Sequence, residues 1–202
     1  MTIFFIVFIL HWYLSLFSQT FFLHRYAAHS MFRMNAFWEK FFYFFTWITQ
    51  GSSYLSPYAY GILHRLHHAF TDTENDPHSP SYTKGLFPLM WKTKQIYGDI
   101  NSDKFPVDDK FMKNLPMWRS FDRFVSSFGI RIAWGVIYFL FYLAFATQWW
   151  MWLLFPITCL MGPVHGAIIN YFAHKYGYRN FEMEDTSKNF LPVDVLMMGE
   201  SY

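Results

Sequence analysis

Two long stretches of the chain carry no Asp, Glu, Lys or Arg. The first, residues 1–23, is long enough to cross the roughly 30 Å hydrocarbon core of a bilayer as a helix. The second, residues 132–164, is too long for one crossing and has the length of a tight hairpin of two helices. The pattern therefore predicts three membrane spans, at about residues 1–23, 130–147 and 149–172.

A third apolar stretch, residues 37–62, is interrupted by Gln50-Gly51-Ser52-Ser53 and by Ser56-Pro57. Polar and turn-forming residues at these places are not typical of a simple crossing. Its aromatic residues suit the boundary between water and lipid: Trp38, Tyr43, Trp47 and Tyr54. We therefore expect an interfacial helix, or a re-entrant segment that enters the bilayer and returns.

The basic residues are distributed unevenly. None of the 16 Lys and Arg residues lies in residues 1–23 or 132–164, and Lys40 stands at the edge of the 37–62 stretch. If that stretch does not cross, the positive charges share one side of the membrane, which is the pattern of a cytoplasmic face. Residues 64–129 and 173–202 are accordingly predicted to form a cytoplasmic cap.

Composition agrees with a membrane protein. Of the 202 residues, 53% are hydrophobic and 15% are charged, whereas soluble domains carry about 25% charged residues. The net charge of +2, without a basic run, argues against a nucleic-acid partner, and a single cysteine excludes an intrachain disulfide. We expect one all-α integral membrane domain over residues 1–202, a multi-pass helical bundle with a helical cap.

Three histidines stand within five residues, in His64-Arg65-Leu66-His67-His68. On an α-helix His64 lies above both His67 and His68, which are about 100° apart from each other. This arrangement offers nitrogen ligands to two neighbouring metal ions. Neutral imidazole binds iron, zinc, copper and nickel well. The plain alternative is a polar surface cluster beside Arg65.

A second pair, His24 and His29, follows the first predicted span. Residues five apart are separated by about 140° on an ideal α-helix, so both cannot face one site from a straight helix. We expect one of them to lie where the helix end unwinds. If this pair shares a site with the His64 cluster, the 37–62 stretch cannot cross the membrane.

Further polar residues flank these clusters. The acidic turn at residues 71–78 offers carboxylates that either orient metal-bound imidazoles or form a solvated turn. Asn170 and His174 are four apart and share a helix face. His165 points elsewhere, unless a kink at Gly162-Pro163 turns it, and we expect it to be structural or to line a substrate site.

Taken in order, these motifs carry a resemblance. They are His-Arg-Tyr-Ala-Ala-His (24–29), His-x-x-His-His (64–68), Asp-x-x-Asn-Asp-Pro-His (72–78) and Asn-x-x-x-His-x-Tyr-Gly-Tyr-Arg (170–179). The set resembles the membrane-bound fatty acyl desaturases, specifically the acyl-CoA Δ9 type and its bacterial relatives. The resemblance runs over nearly the whole chain.

The resemblance implies a diiron site on the cytoplasmic side of a helical bundle. The implied iron ligands are His24, His29, His64, His67, His68 and His174, with Asn170 reaching one iron through water. It also implies a fatty acyl substrate, acyl-CoA in that type, together with O₂ and an electron donor such as cytochrome b5 or ferredoxin. The product would carry a new cis double bond. A metal centre suits this reaction, because an unactivated methylene has no acidic proton for a side chain to remove.

Two departures from the family pattern affect this expectation. The family has a third box, His-x-x-His-His, after the last span, and this chain stops at Gly199-Glu200-Ser201-Tyr202, which resembles the run-in to that box. We expect a C-terminal truncation. The family usually also has a further span before the first box. Two alternatives therefore stay open: another histidine-box membrane oxygenase, such as a hydroxylase, or an inactive fragment with a partial metal site.

Overall fold

A computed structural model describes residues 1–71, 73–173, 176 and 196–198, and in this part of the chain every regular element is helical. The helices are α1 (Thr2–Phe17), continued by a π-helical segment (Ser18–Ala28), α2 (Ala36–Gln50), α3 (Pro57–Phe70), α4 (Leu86–Asn101), α5 (Asp109–Met112), α6 (Arg119–Val125), α7 (Phe128–Phe145), α8 (Phe155–Cys159) and α9 (Met161–Ala167), with a second π-helical segment (Ile168–Ala173) after α9. Short 3₁₀ turns cover Gly51–Ser53, Pro80–Tyr82 and Trp149–Leu154.

Two of these helices are long and apolar enough to cross a membrane. They are Thr2–Ala28, formed by α1 and its π continuation, and Phe128–Phe145. A third crossing is possible if Trp149–Cys159 and Met161–Phe172, which meet at an angle of 81°, form one broken span. These elements occupy the three stretches predicted from the sequence, so an all-helical fold with two to three apolar helices is confirmed.

The break in the third apolar element lies at Leu160, just before the Gly162-Pro163 pair at which the sequence predicted a kink. Leu160 has non-helical dihedrals, with φ −116° and ψ 29°. Pro163 has no N–H to donate to the carbonyl of Cys159, four residues earlier. That carbonyl instead accepts a 2.7 Å hydrogen bond from the Ser52 hydroxyl. The bend is therefore stabilised by a side chain from another part of the chain.

Helix α2 runs antiparallel along the end of the first apolar helix. The hydroxyls of Ser18 and Thr49 are 2.7 Å apart, and the rings of Phe22 and Tyr43 are 5.3 Å apart, so positions later in α2 contact positions earlier in the first helix. The chain then turns at Gly51–Ser53 and returns towards α3. Helix α2 has 15 residues and is not among those long and apolar enough to cross, and its interfacial or re-entrant placement stays a prediction.

The outer face of α2 is strongly apolar. Its exposed large hydrophobic residues are Phe37, Trp38, Phe41, Phe44 and Ile48, with the charged Lys40 exposed among them, whereas its buried residues are Tyr43, Thr46, Thr49 and Gln50. A polar inner face and an apolar outer face are the reverse of the arrangement in a soluble domain and suit contact with lipid.

Helix α3 is the centre of the cap. The Ser56 side chain caps its N-terminus by accepting the Ala59 N–H, and Pro57 occupies the first turn, where its missing N–H costs nothing. The Ser56 hydroxyl also donates to the buried carboxylate of Asp122, at 2.8 Å, as does the Tyr54 hydroxyl, at 2.6 Å. The apolar side of α3 packs against α4 and the segment around α5, in a cluster of Tyr58, Ala59, Ile62, Leu63, Leu66, Ile100, Phe111 and Leu115.

Candidate metal centre

His24 and His29 face one another because the helix that carries them widens. Residues Ser18–Ala28 are π-helical, and the His29 N–H donates to the carbonyl of His24, five residues earlier, at 3.0 Å. The hydrogen bonds of a π-helix join residues five apart, and its wider turn brings residues at this spacing to the same face of the helix. The Nε2 atoms of the two rings are 2.9 Å apart. His29 is the residue at which this helix ends, as expected for one member of the pair, whereas the widened turn that brings it to His24 was not predicted.

Helix α3 adds two more rings to the same place. His64 and His68 are one turn apart, and their Nε2 atoms are 2.9 Å apart. The Nε2 atom of His64 is also 3.0 Å from that of His29. The potential ligand atoms of His24, His29, His64 and His68 all lie within 4.8 Å of one another. We call these four residues the four-histidine cluster.

The four-histidine cluster fits a metal ion better than a set of hydrogen bonds. A neutral ring nitrogen carries either one proton or one lone pair, so it forms one good in-plane bond. The Nε2 atoms of His29 and His64 each lie within 3.0 Å of two other Nε2 atoms. Two nitrogens bound at about 2.1 Å and at a right angle would lie about 3.0 Å apart, as observed.

The surroundings of His64 favour an uncharged ring. Loss of solvation lowers the pKa of His64 well below its usual value, and the neighbouring rings of His24, His68 and His29 lower it further. A neutral imidazole is the form that binds metal. His64 therefore presents a lone pair at physiological pH.

Arg65 connects the two histidine-bearing segments. Its guanidinium donates to the carbonyls of Ala27 (3.0 Å) and Ala28 (2.7 Å) at the end of the first helix. It also donates to the carbonyls of Phe111 (3.0 Å) and Lys113 (2.7 Å). These contacts fix α3 against the end of the π-helical segment and so bring His64 to His24. Nothing in the sequence distinguishes this arginine from a solvated one.

His67 lies apart from the four-histidine cluster, on a second side of α3. Its ring centroid is 6.3 Å from that of His64 and 5.0 Å from that of His78. The fully buried carboxylate of Asp76 is 2.8 Å from His67 Nδ1 and also accepts the His78 N–H at 2.8 Å. For Asp76 the structure therefore matches the first of the two alternatives for the acidic turn, a carboxylate that orients an imidazole. Glu74 of the same turn is exposed.

The other three residues considered from the sequence, Asn170, His174 and His165, come from the last part of the chain. Asn170 is partly buried on the second π-helical segment. His174 lies outside the described residues. His165 is fully buried on α9, where its ring contacts Trp12 with centroids 4.5 Å apart.

Comparison with known proteins decides the family. A sequence model for the family described as fatty acid desaturase matches residues 1–202, the whole chain. The chain belongs to the fatty acid desaturase family.

Individual relatives agree with this assignment. The chain is 30% identical over 195 residues to the Delta-9 desaturase-like 5 protein of Arabidopsis thaliana, covering 92% of this chain and 58% of that protein. It is 30% identical over 186 residues to Delta-9 acyl-lipid desaturase 2 of Arabidopsis thaliana, covering 89% and 55%. It is 24% identical over 189 residues to acyl-CoA 5-desaturase AL21 of Anemone leveillei, covering 92% and 55%. The chain therefore spans somewhat more than half the length of these desaturases.

The sequence patterns did not single out two residues that lie beside these histidines in the structure. Arg65 was assigned only to a possible surface cluster, and His78 was not counted among the ligands. The structure places His78, which is 5% exposed, directly beside His67. The signal that could have found it is its position two residues after Asp76, since one carboxylate can then reach both a histidine side chain and the following backbone.

Proposed function

We propose that the protein is a fatty acyl desaturase that introduces a cis double bond into a saturated acyl chain with O₂ and an external electron donor. The observation that carries this proposal is the four-histidine cluster, assembled from two separate segments in a chain of the desaturase family. Cytochrome b5 and ferredoxin are the donor types we propose. Relatives named as acyl-lipid and acyl-CoA desaturases make both carriers candidates, with acyl-CoA as our first choice.

We propose two iron positions. The ligands of the first are His24, His29, His64 and His68. Those of the second are His67 and His174, with Asn170 acting through water. Bound iron would supply the O₂-dependent oxidising power that side chains lack.

The chain's own residues orient and position this centre. Asp76 holds the Nδ1 side of His67, which fixes the ring and leaves Nε2 as its ligand atom. Arg65 fixes α3, and with it the four-histidine cluster, through carbonyls on both sides. The bundle would hold the acyl chain away from water, on the cytoplasmic side of a multi-pass membrane protein.

The test is expression of the full-length protein in membranes with a reduced electron donor and either stearoyl-CoA or a stearoyl phospholipid. We expect products that have lost two hydrogens, measured by mass spectrometry. The variants His64→Ala and His68→Ala should abolish this product and lower the iron content of the purified protein. His11→Ala, a histidine outside the cluster, should retain its iron.

Other outcomes would contradict the proposal in different ways. Products that gain oxygen would indicate a hydroxylase. Iron bound without any turnover on either substrate would favour a protein with an inactive or structural metal site. Full activity and iron content in His68→Ala would show that the ligand assignment is wrong.

A further inference from the structure

His165 is a buried imidazole inside the apolar bundle. It has no exposed surface, and neither ring nitrogen has a hydrogen-bond partner among the described residues. The edge of its ring contacts Trp12 on α1, at an interplanar angle of 84°. Buried polar groups in native proteins are nearly always paired, with protein or with ordered water. At membrane depth the cost of leaving one unpaired is greater still.

The facing side of the first apolar helix carries further buried polar atoms. Ser15 is three residues after Trp12 and Gln19 is four after Ser15, so they continue the side of the helix that meets His165. Both residues are buried, and Ser15 Oγ and Gln19 Oε1 have no partner within the described part of the chain. Because α1 packs against α9, polar atoms from both helices border one interface.

The re-entrant turn closes this region. The Gly162 N–H, one turn before His165, donates to Ser53 Oγ at 3.1 Å. Gln50, at the end of α2, is fully buried; its Oε1 accepts the Leu55 N–H, whereas its Nε2 has no partner in the described residues. The turn therefore brings the neutral polar side chains of Gln50 and Ser53 to the start of α9, and His11 on α1 is a further polar neighbour of His165.

We propose that the interface between α1 and α9 holds a buried water site, whose protein ligands are the His165 ring and the Ser15 hydroxyl. Water fits because it is small and uncharged and both donates and accepts, so it can pair an imidazole nitrogen with a hydroxyl. A metal ion fits less well, since among the described residues the clustered metal ligands are those of the four-histidine cluster. This site is separate from the proposed iron centre and does not depend on the proposed activity.

A double-mutant cycle on the full-length protein in detergent tests the site. The variants are His165→Leu, Ser15→Ala and the pair together, and the measurement is the thermal unfolding midpoint. We expect each single change to lower Tm, because each removes one partner of the bridging water. The double variant should lose about 2–4 °C less than the sum, since the second change removes a contact already lost.

The matched control is Ser126→Ala, which removes another buried, unpaired hydroxyl, in the turn between α6 and α7. The change in Tm caused by Ser126→Ala should simply add to the change caused by His165→Leu when the two are combined. A rise in Tm for His165→Leu, or additive effects of His165→Leu and Ser15→Ala, would overturn the proposal, because a dry site gains when an unpaired ring is removed.

A second measurement covers the case in which the variants fail to fold. Water-edited solid-state NMR on the wild-type protein in bilayers, with ¹⁵N-labelled histidine, reports water next to each ring. We expect magnetisation transfer from water to His165, despite its depth in the bundle. A His165 ring without transfer, at a mixing time that detects water at exposed His68, would show that the site is dry.

Discussion

The side chain of Asp76 shows how one buried carboxylate holds two neighbouring groups. It is fully buried, and it holds both the Nδ1 atom of His67 and the backbone of His78. A carboxylate in this position fixes the orientation of the ring and raises the basicity of the other nitrogen. Through Asp76 the acidic turn therefore contacts a proposed ligand, His67, and is not simply a solvated loop.

We predict that Asp76→Asn weakens iron binding by about 10–100-fold, the usual effect of changing a group that orients a ligand. The amide keeps the size of the carboxylate and removes its charge. The measurement is iron retained by the purified protein during titration with a chelator. Asp99→Asn, an exposed carboxylate on α4, is the control and should bind iron as the wild type does. Equal iron retention in both variants would contradict the role of Asp76.

Arg65 acts through geometry that lysine cannot copy. Its planar guanidinium reaches carbonyls on two segments, Ala27–Ala28 and Phe111–Lys113, and also bonds the Ser30 hydroxyl at 3.2 Å. A lysine ammonium has three donors on one atom and cannot span this arrangement.

We predict that Arg65→Lys leaves at least two buried carbonyls unpaired and destabilises the protein by about 2–4 kcal/mol. The measurement is the shift in Tm, together with iron content. Arg25→Lys, at an exposed arginine beside the same cluster, should shift Tm very little. If the two variants behave alike, Arg65 does not connect the segments as described.

At the scale of elements, two π-helical segments carry or lead to proposed ligands. Ser18–Ala28 presents His24 and leads directly to His29, and Ile168–Ala173 contains Asn170 and precedes His174. The wider turn changes the angular spacing of residues, so a spacing of five becomes suitable for one site. π-helical turns are rare and are frequent at functional sites, which agrees with their position here.

The turn at the end of α2 depends on a single glycine. Gly51 has φ +52°, and a Cβ at this position would lie 1.7 Å from the hydroxyl oxygen of Tyr138 on α7. Both the backbone conformation and the space therefore require glycine.

We predict that Gly51→Ala destabilises the protein by at least about 2 kcal/mol, because the re-entrant turn must move away from α7. Gly135→Ala, on α7 with nothing within 4 Å of the added Cβ, is the control. It should be neutral or slightly stabilising, since alanine favours a helix interior. Thermal unfolding of the two variants in the same detergent is the measurement, and equal Tm values would contradict the close approach.

At the scale of the whole molecule, the segment that follows α2 is held against the start of α7. The Arg131 guanidinium, near the start of α7, donates to the carbonyls of Ser52 and Tyr54, which ties the returning segment to that end of α7. The far end of α7 leads to Thr147, in the short connection to the next apolar element.

We predict that the cap is cytoplasmic and that Thr147 lies on the opposite side, as the basic residues indicate. In a Cys159→Ser background, Thr147→Cys should react with a membrane-impermeant maleimide in intact cells. Ser102→Cys, in the cap, should react only after the cells are opened. Labelling of Ser102→Cys in intact cells, with Thr147→Cys protected, would contradict a cytoplasmic cap and a re-entrant α2. Labelling of both positions would show that α7 does not cross.

The sequence by itself determined the class of the protein and most of its candidate ligands. The length of the stretches without charged residues predicted the apolar helices, because a segment that crosses lipid as a helix needs about 20 apolar residues. The spacing of His64 and His68 predicted a shared face, because both lie on a regular α-helix. Such local rules operate within one segment and can be read without knowing what the segment contacts.

Only the tertiary structure decided how the segments meet. The π-helical turn at His24 and His29, the contacts of Arg65 with distant carbonyls, and the pairing of Asp76 with His67 depend on neighbours far apart in the chain. The bend at Leu160 likewise needed a hydroxyl from Ser52. Backbone spacing fixes the angles within a helix, whereas the choice of partner across helices is set by packing. For this reason the histidines were identified from the sequence, and their grouping into a cluster of four with His67 apart was not.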